Sequence, residues 1–166
     1  MIKTLFAAGA LSILMVGGAA AADLIIEPPA VDDPVVSNWD GLYAGLTGAL
    51  WLEGGVVFPA LGVELGGNFV SGDLLLGAEI DLAYYLTSGN FDVGVTGRAG
   101  AVLDSAVIYG SLGIATLSNG SAYVPVGAGV EFMVTDSMSI DLQGEYLIGL
   151  NGFNAVRAST SLNFHF

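Results

Sequence analysis

The chain contains no cysteine and almost no basic residues. Of its 166 residues, 3 are Lys or Arg and 16 are Asp or Glu, giving a formal net charge of −13 at pH 7. The lack of cysteine excludes structural disulfides and a lipid-modified cysteine anchor. Nucleic-acid binding is physically implausible, because a polyanion requires basic side chains to replace its counterions, and only Arg98 and Arg157 lie beyond residue 22.

Long apolar runs are also missing beyond residue 22, although 54% of residues are hydrophobic and only 11% are charged. A membrane-spanning helix needs about 20 consecutive apolar residues, and the 25 glycines disfavour long helices. Strands that alternate apolar and polar residues cross a membrane without any such run. The composition therefore favours a membrane protein built from β-strands.

The first 38 residues have the pattern of an export segment. MIK, LFAAGALSILMV and GGAAAA follow the order of a cleavable secretory signal over residues 1–22, with a cut before Asp23 or, equally well, one residue earlier. Residues 23–38, DLIIEPPAVDDPVVSN, carry four acids and three prolines. They predict an extended periplasmic tether without a core of its own.

Seven turn-like clusters divide residues 39–166 into eight runs: GGVVFPA, VSGD, TSGN, DS, SNGS, TDS and NGFN. The predicted strands are 39–52, 59–70, 74–86, 90–103, 106–118, 121–135, 138–150 and 154–166. Strand edges cannot remain unpaired in lipid, so the sheet must close on itself. The sequence predicts an eight-stranded antiparallel up-and-down transmembrane β-barrel, with both termini on one side.

Separating each run by parity gives an apolar face and a polar face. The polar face carries the charged residues Glu64, Glu79, Asp81, Asp92, Arg98, Glu131, Asp141, Glu145 and Arg157. A soluble barrel would turn this face outward, but eight strands leave too little interior for so many Leu, Ile and Phe side chains. The apolar face is therefore predicted to contact lipid, with interfacial aromatics at Phe69, Phe132, Tyr84, Phe91 and Phe153. Trp39, Tyr43 and Trp51 have the parity of the polar face, against this pattern.

The inward charges predict a plug in the lumen. If the SG pairs in VSGD and TSGN form two-residue turns, Glu64 pairs with Glu79, and Glu79 with Arg98. Arg157 should lie near Glu145, and Asp81 and Glu131 join the same interior. An alternative is that these are solvated wall charges of a wet lumen. Inward positions such as Gly77 and Thr96 are expected to accept polar replacements.

Four segments resemble the small outer-membrane β-barrel domains of Gram-negative bacteria, the OmpA-like or "porin family" surface proteins common in alphaproteobacteria. They are WDGLYAG, GGNFVSGDLLLGAEIDL, GRAGAVLDSAVIYGSLGIA and VGAGVEFMVTDSMS. The chain departs from the pattern at Met138, where Trp is usual, and by paired two-residue insertions in the last two strands. The resemblance implies an outer-membrane location with periplasmic termini and contact with outer-membrane lipid and lipopolysaccharide. It also implies that the insertion machinery reads the last strand, at Leu162, Phe164 and Phe166.

The sequence bears on three alternatives to a structural role: an enzyme, a pore and a binding protein. An enzyme is not expected, because His165, the single histidine, has no evident Ser–acid neighbourhood, and no cofactor or metal motif is present. Eight strands leave an interior that side chains just fill, which argues against a pore. The many inward Gly and Ser residues leave room for water, so a small-solute pore remains an alternative to a structural barrel. A ligand-binding or adhesion protein is the second alternative, with GGVVFPA and the nearby Trp51 as the candidate contact loop. The interpretation adopted is a mainly structural role in the envelope, with a narrow lumen plugged by charge.

Overall fold

The alternating runs form eight β-strands in the computed structural model, which describes residues 39–166. The strands are β1 (Gly41–Glu53), β2 (Val56–Ser71), β3 (Leu74–Tyr85), β4 (Phe91–Leu103), β5 (Ala106–Leu117), β6 (Ala122–Thr135), β7 (Met138–Gly149) and β8 (Asn154–His165). The predicted signal (1–22) and tether (23–38) lie outside the described residues. Between residues 39 and 166, no helix has the length and apolar character needed to cross a membrane.

The sheet closes on itself. Every strand pairs antiparallel with its neighbours in chain order, and β8 pairs with β1. The predicted eight-stranded antiparallel up-and-down barrel is therefore confirmed. An even strand number brings the start of β1 beside the end of β8, where the Phe166 amide donates to the Leu42 carbonyl. We call this side the terminal end, and the side of the β1–β2, β3–β4, β5–β6 and β7–β8 connections the loop end.

The two faces of the sheet differ in polarity as the alternation predicts. Large apolar side chains point outward along every strand and remain 36–66% exposed. Charged side chains such as Arg98, Glu131 and Glu145 point inward and are buried. Such an outer surface is far larger than the apolar patches of soluble monomers. It matches a barrel whose wall contacts hydrocarbon and whose interior is polar.

The β1–β2 connection is shorter than GGVVFPA suggested. Gly54 and Gly55 have φ of +57° and +87°, and β2 begins directly afterwards at Val56. Two central residues with positive φ match the right-handed twist of a hairpin, and Gly-Gly adopts that conformation at little cost. The prediction that GGVVFPA forms a loop is therefore wrong for most of its length, because Val56, Val57 and Phe58 pair with β1 as strand residues.

The predicted register of the β2–β3 and β3–β4 hairpins is wrong, and each is shifted by two residues. The β2–β3 turn is Gly72–Asp73, not Ser71–Gly72, because the residue with positive φ is Gly72 (+60°). The β3–β4 connection is longer than two residues, since Tyr84 and Phe91 form its last pair. A shift of two residues keeps each side chain on its face but changes its partner. Glu64 thus pairs with Asp81, Glu79 with Thr96, and Arg98 with Gly77.

Two interruptions occur in the ladder of the described sheet. A register shift lies between Met133 and Thr135 on β6. The β5–β6 pairing also stops after Leu112–Val126 and resumes at Ala115–Tyr123. Pro125 lies in this second interruption and has no N–H to donate across the seam.

Candidate functional site in the barrel lumen

Side chains fill the lumen in layers. An apolar layer at the terminal end contains Trp39, Leu75, Val107 and Tyr109. A second apolar layer near the loop end contains Trp51, Tyr85, Tyr123 and Leu147, together with Ala49, Ala60, Ala83, Ala115 and Ala155. Between these layers lie seven carboxyl groups and two guanidinium groups, those of the predicted polar face. The candidate functional site is this polar interior.

Arg98 is the centre of the polar network nearer the terminal end. Its Nη1 donates to Glu131 Oε2 at 2.9 Å, and its Nε donates to Asn68 Oδ1 at 3.0 Å. Arg98 and Glu131 are 5% and 0% exposed, so the pair is screened little by water. The expected direct row of Glu64, Glu79 and Arg98 is not present, because the register places Gly77 and not Glu79 opposite Arg98.

Two tyrosines lie on either side of the Arg98 guanidinium. Its Cζ is 4.6 Å from the Tyr43 ring centroid and 5.2 Å from the Tyr109 ring centroid, within range for cation–π attraction. The Tyr43 hydroxyl donates to Glu79 Oε2 at 2.6 Å, and the Tyr109 hydroxyl donates to Asp141 Oδ2 at 2.6 Å. Glu79 is thereby joined to Arg98 through Tyr43. The parity of Tyr43 in the sequence was the available signal for this inward position.

Glycines provide the space for these large inward side chains. A Cβ at Gly66 would lie 2.2 Å from Tyr43 Oη, and one at Gly129 would lie 2.4 Å from Tyr109 Oη. A Cβ at Gly77 would lie 2.4 Å from Asn68 Oδ1 and 2.9 Å from Arg98 Cγ. The expectation that Gly77 accepts polar replacements is therefore wrong. A side chain at this position would displace Asn68 and Arg98, which are hydrogen-bonded to each other.

Glu131 is held by three further polar side chains. Its Oε1 accepts from Ser139 Oγ at 2.5 Å and from Asn163 Nδ2 at 3.0 Å, and it lies 3.5 Å from His165 Nε2. Ser139 Oγ is also 2.8 Å from His165 Nε2. The expectation that His165 has no Ser–acid neighbourhood is therefore wrong. The arrangement still differs from a nucleophile–base–acid relay, because the carboxylate lies at the same ring nitrogen as the serine and Ser139 is fully buried.

A second network lies nearer the loop end around Arg157. Arg157 Nε donates to Glu145 Oε2 at 2.6 Å, and its Nη1 lies 3.5 Å from Asp92 Oδ2. Glu145 and Arg157 are directly paired across β7 and β8. The hydroxyls of Tyr85 and Tyr123 both donate to Asp92. The structure thus brings together the predicted pair and adds Asp92 as a third member.

Glu64 and Asp81 line a small cavity between the two networks, together with one acid from each network. Glu64 accepts hydrogen bonds from Thr47 at 2.6 Å and from Ser161 at 2.9 Å. Glu64, Glu79, Asp81 and Glu145 share a cavity of about 30 Å³. A space of that size holds about two water molecules. Within residues 39–166, no group of three or more His, Asp or Glu side chains is arranged to hold a metal ion.

Four of the five predicted interfacial aromatics lie on the outer surface. Phe69, Phe132, Tyr84 and Phe91 point outward and are exposed, as are Leu162, Phe164 and Phe166 at the end of the chain. Phe153 is the exception and corrects the prediction. Its ring packs on the inward rings of Trp51 and Tyr123, at centroid distances of 5.9 and 6.2 Å. Gly149 provides the room for Phe153, because a Cβ there would lie 2.3 Å from Cδ1 of that ring.

Comparison with known proteins identifies the fold. No protein-family model matches the chain, and no curated protein matches it. Among solved structures, the outer membrane enzyme PagL matches with a TM-score of 0.53 and 12% identity, over 74% of this chain and 99% of PagL. Ail, the attachment invasion locus protein of Yersinia pestis in complex with the heparin analogue sucrose octasulfate, matches with a TM-score of 0.52 and 14% identity, over 76% of this chain and 97% of Ail.

These similarities, together with the closed sheet and its apolar outer face, define a class of protein. The chain has the fold of the small eight-stranded outer-membrane β-barrels. At 12–14% identity the likeness extends to the fold alone, and the class includes both an enzyme and an attachment protein.

Proposed function

We propose that the chain is an integral outer-membrane β-barrel with a mainly structural role in the envelope and a lumen closed by charged side chains. The observation that carries this proposal is the extent of the Arg98 network. Through hydrogen bonds, an ion pair and ring contacts it includes a residue of every strand: Tyr43, Asn68, Glu79, Arg98, Tyr109, Glu131, Ser139, Asp141, Asn163 and His165. A network that joins all eight strands across the interior stabilises the closed barrel and obstructs its axis.

We infer that the terminal end faces the periplasm. The acidic turns Asp73, Asp104 and Asp136 lie at this end, whereas Glu53 is the only charged residue between residues 39 and 166 at the loop-end connections. An anionic outer leaflet favours the side with fewer acids. In this orientation the apolar wall contacts outer-membrane lipid and lipopolysaccharide.

The runner-up function, a small-solute pore, is tested by conductance. Because Arg98 and its partners lie across the axis and the cavity beside them has a volume of only about 30 Å³, refolded protein in a planar bilayer should give no stable conductance steps. A bilayer without protein is not a sufficient control, so a heat-unfolded sample of the same protein should be measured in parallel. Reproducible steps with the folded sample alone would favour the pore.

A polyanion-binding attachment role receives no support from the residues described. Ail was solved with a heparin analogue, and such a ligand requires cationic side chains on the surface. Between residues 39 and 166 the only arginines are Arg98 and Arg157, and both are buried in the lumen. Ser139, whose hydroxyl lies beside His165, is fully buried and so is not accessible as a nucleophile.

The role of the last strand in assembly is tested by deletion of Phe166. The ring is 66% exposed on the outer face and stacks on Phe164 at 6.3 Å, so its loss removes roughly 1.5–3 kcal/mol of burial in lipid at most. If the insertion machinery reads this terminus, insertion in cells should fall severalfold while refolding in detergent is retained. Phe69→Ala, with 63% exposure, is the matched control. Equal insertion of the two variants would contradict the assembly role.

A further inference from the structure

One aromatic side chain from outside the sheet, that of Trp39, lies in the terminal end of the lumen. Trp39 precedes the first residue of β1 in the chain, yet it is only 2% exposed. Its ring belongs to the apolar layer that contains Leu75, Val107 and Tyr109. The ring therefore lies between the polar interior and the water at this end of the barrel.

The Trp39 ring covers the imidazole of His165. The two ring centroids are 5.6 Å apart and the ring planes are perpendicular, at 90°. His165 Nε2 lies 2.8 Å from Ser139 Oγ and 3.5 Å from Glu131 Oε1. The way from the terminal end to the Arg98–Glu131 ion pair thus passes His165 and is covered by Trp39.

The backbone that carries Trp39 lies outside the ladders of the barrel wall. The pairing of β1 with β2 begins at Gly41, and its pairing with β8 begins at Tyr43. The segment is fastened to the wall by a hydrogen bond from the Val70 amide to Asp40 Oδ1 at 2.9 Å, in an exposed position. A single hydrogen bond of this kind contributes little net stability, because water competes for both partners.

A glycine with an unusual backbone conformation connects this segment to the sheet. Gly41 has a φ of +117°, which residues with a Cβ rarely adopt. A Cβ at this position would also lie 3.4 Å from the Phe166 carbonyl oxygen. Residues at the end of an element are those that absorb the dihedral change of a hinge. A change of the backbone at Gly41 moves the Trp39 ring without disturbing the rest of the ladder.

We propose that Trp39 is a lid on the terminal end of the lumen, hinged at Gly41, which opens while the barrel remains folded and gives water and small solutes access to His165. A segment held by few contacts opens locally at a lower free-energy cost than the body of a protein. Trp51, in the layer near the loop end, differs because it lies within β1 and is paired on both sides, with Phe58 and Arg157. Opening of the lid leaves the Arg98 network in place, so the lumen remains closed to ions.

The two tryptophans allow the lid to be tested by quenching of fluorescence in the refolded full barrel. Trp39 and Trp51 are 2% and 3% exposed, so a rigid barrel would shield them equally from acrylamide. In the single-tryptophan variants Trp51→Phe and Trp39→Phe, acrylamide should quench Trp39 severalfold more strongly than Trp51. Asp40→Ala should increase the quenching of Trp39 further, whereas Asp73→Ala, at a turn of the same end, should not. Equal quenching of the two tryptophans would overturn the proposal.

Access beneath the lid is measured at His165, the single histidine of the sequence. Its modification by diethyl pyrocarbonate, followed by mass spectrometry of the untagged protein, should become severalfold faster with Trp39→Ala and with Asp40→Ala, but not with Asp73→Ala. Asp40→Ala keeps the Trp39 ring and every strand residue, so it tests the lid even if Trp39→Ala does not fold.

Urea distinguishes opening of the lid from unfolding of the barrel. Below the unfolding transition, the rate of His165 modification in the unaltered protein should be nearly independent of urea, because local opening exposes little surface. A rate that rises with urea in parallel with global unfolding, or that Asp40→Ala leaves unchanged, would overturn the lid. Failure of the closed lumen would be seen separately, as conductance steps in a planar bilayer.

Discussion

Arg98→Ser is expected to lower the free energy of unfolding of the barrel by about 3–5 kcal/mol, the cost of leaving a buried charge without its partner. The variant removes the 2.9 Å ion pair with Glu131, the hydrogen bond to Asn68 and the cation that lies between Tyr43 and Tyr109. The measurement is urea unfolding in detergent micelles, followed by tryptophan fluorescence.

The Arg98 prediction has two internal controls. Glu131→Gln in the Arg98→Ser background should restore part of the stability, because it removes the charge that Arg98→Ser leaves uncompensated. The loss should also be larger near about pH 9 than near about pH 4, since acid protonates carboxyl groups and so weakens their mutual repulsion. Additive losses in the double variant, or a loss independent of pH, would mean that Arg98 acts through packing and not through charge.

The same variant tests the closure of the lumen. With the Arg98 side chain shortened, the space between Tyr43 and Tyr109 is open to water, and conductance steps should appear that the unaltered protein lacks. Arg98→Lys is the matched variant for this assay, because it keeps the charge but not the two-pronged geometry of the guanidinium. If bilayers that contain the Arg98→Ser variant show no conductance steps, the lumen is closed by the apolar layers around Leu75 and Leu147 instead.

Ile80→Arg is expected to lower the free energy of unfolding in lipid by roughly 2–4 kcal/mol, as a charge near the middle of a bilayer does. Ile80 lies midway along β3, points outward with 55% exposure and pairs with the outward Val95. The effect should be measured by reversible unfolding from lipid vesicles, where the depth of the residue matters.

Leu74→Arg provides the matched control on the same strand. Leu74 also points outward, with 51% exposure, but it is the first residue of β3, at the terminal end. Its replacement should cost no more than about 1 kcal/mol, because an arginine near the interface reaches water. Thr96→Ser tests the inward face and should lower the free energy of unfolding by less than Ile80→Arg does. Equal costs at Ile80 and Leu74 would contradict a membrane-embedded wall.

Parity alone was sufficient to predict the faces of the barrel. Each strand has one apolar side, and a slip of one residue would expose the charges of the other side to lipid, so the fold has only one acceptable arrangement. The strand number and the two faces therefore follow from the alternation. The Arg157–Glu145 neighbourhood also follows, because those strands lie next to each other in the chain.

The partners of Arg98 could not be predicted in the same way. A slip of two residues keeps every face intact, so alternation does not distinguish Glu79 from Gly77 as its neighbour, and the register depends on which turn residue has a positive φ. Glu131 lies two strands away from Arg98, across the lumen, and no local pattern connects them. The inward parity of Tyr43 did carry information, but the expectation of outward aromatics obscured it.

The interruption at Pro125 gives the barrel one direction in which it can deform. A closed sheet resists flattening because each level of the wall is a continuous ring of cross-strand bonds. At the level of Pro125 that ring has a gap between β5 and β6, opposite Gly113 and Ile114, whereas on its other side Pro125 is paired with Leu147. Changes in the cross-section of the barrel, such as those imposed by lateral pressure in a membrane, will therefore concentrate at this seam, close to the apolar layer that closes the loop end.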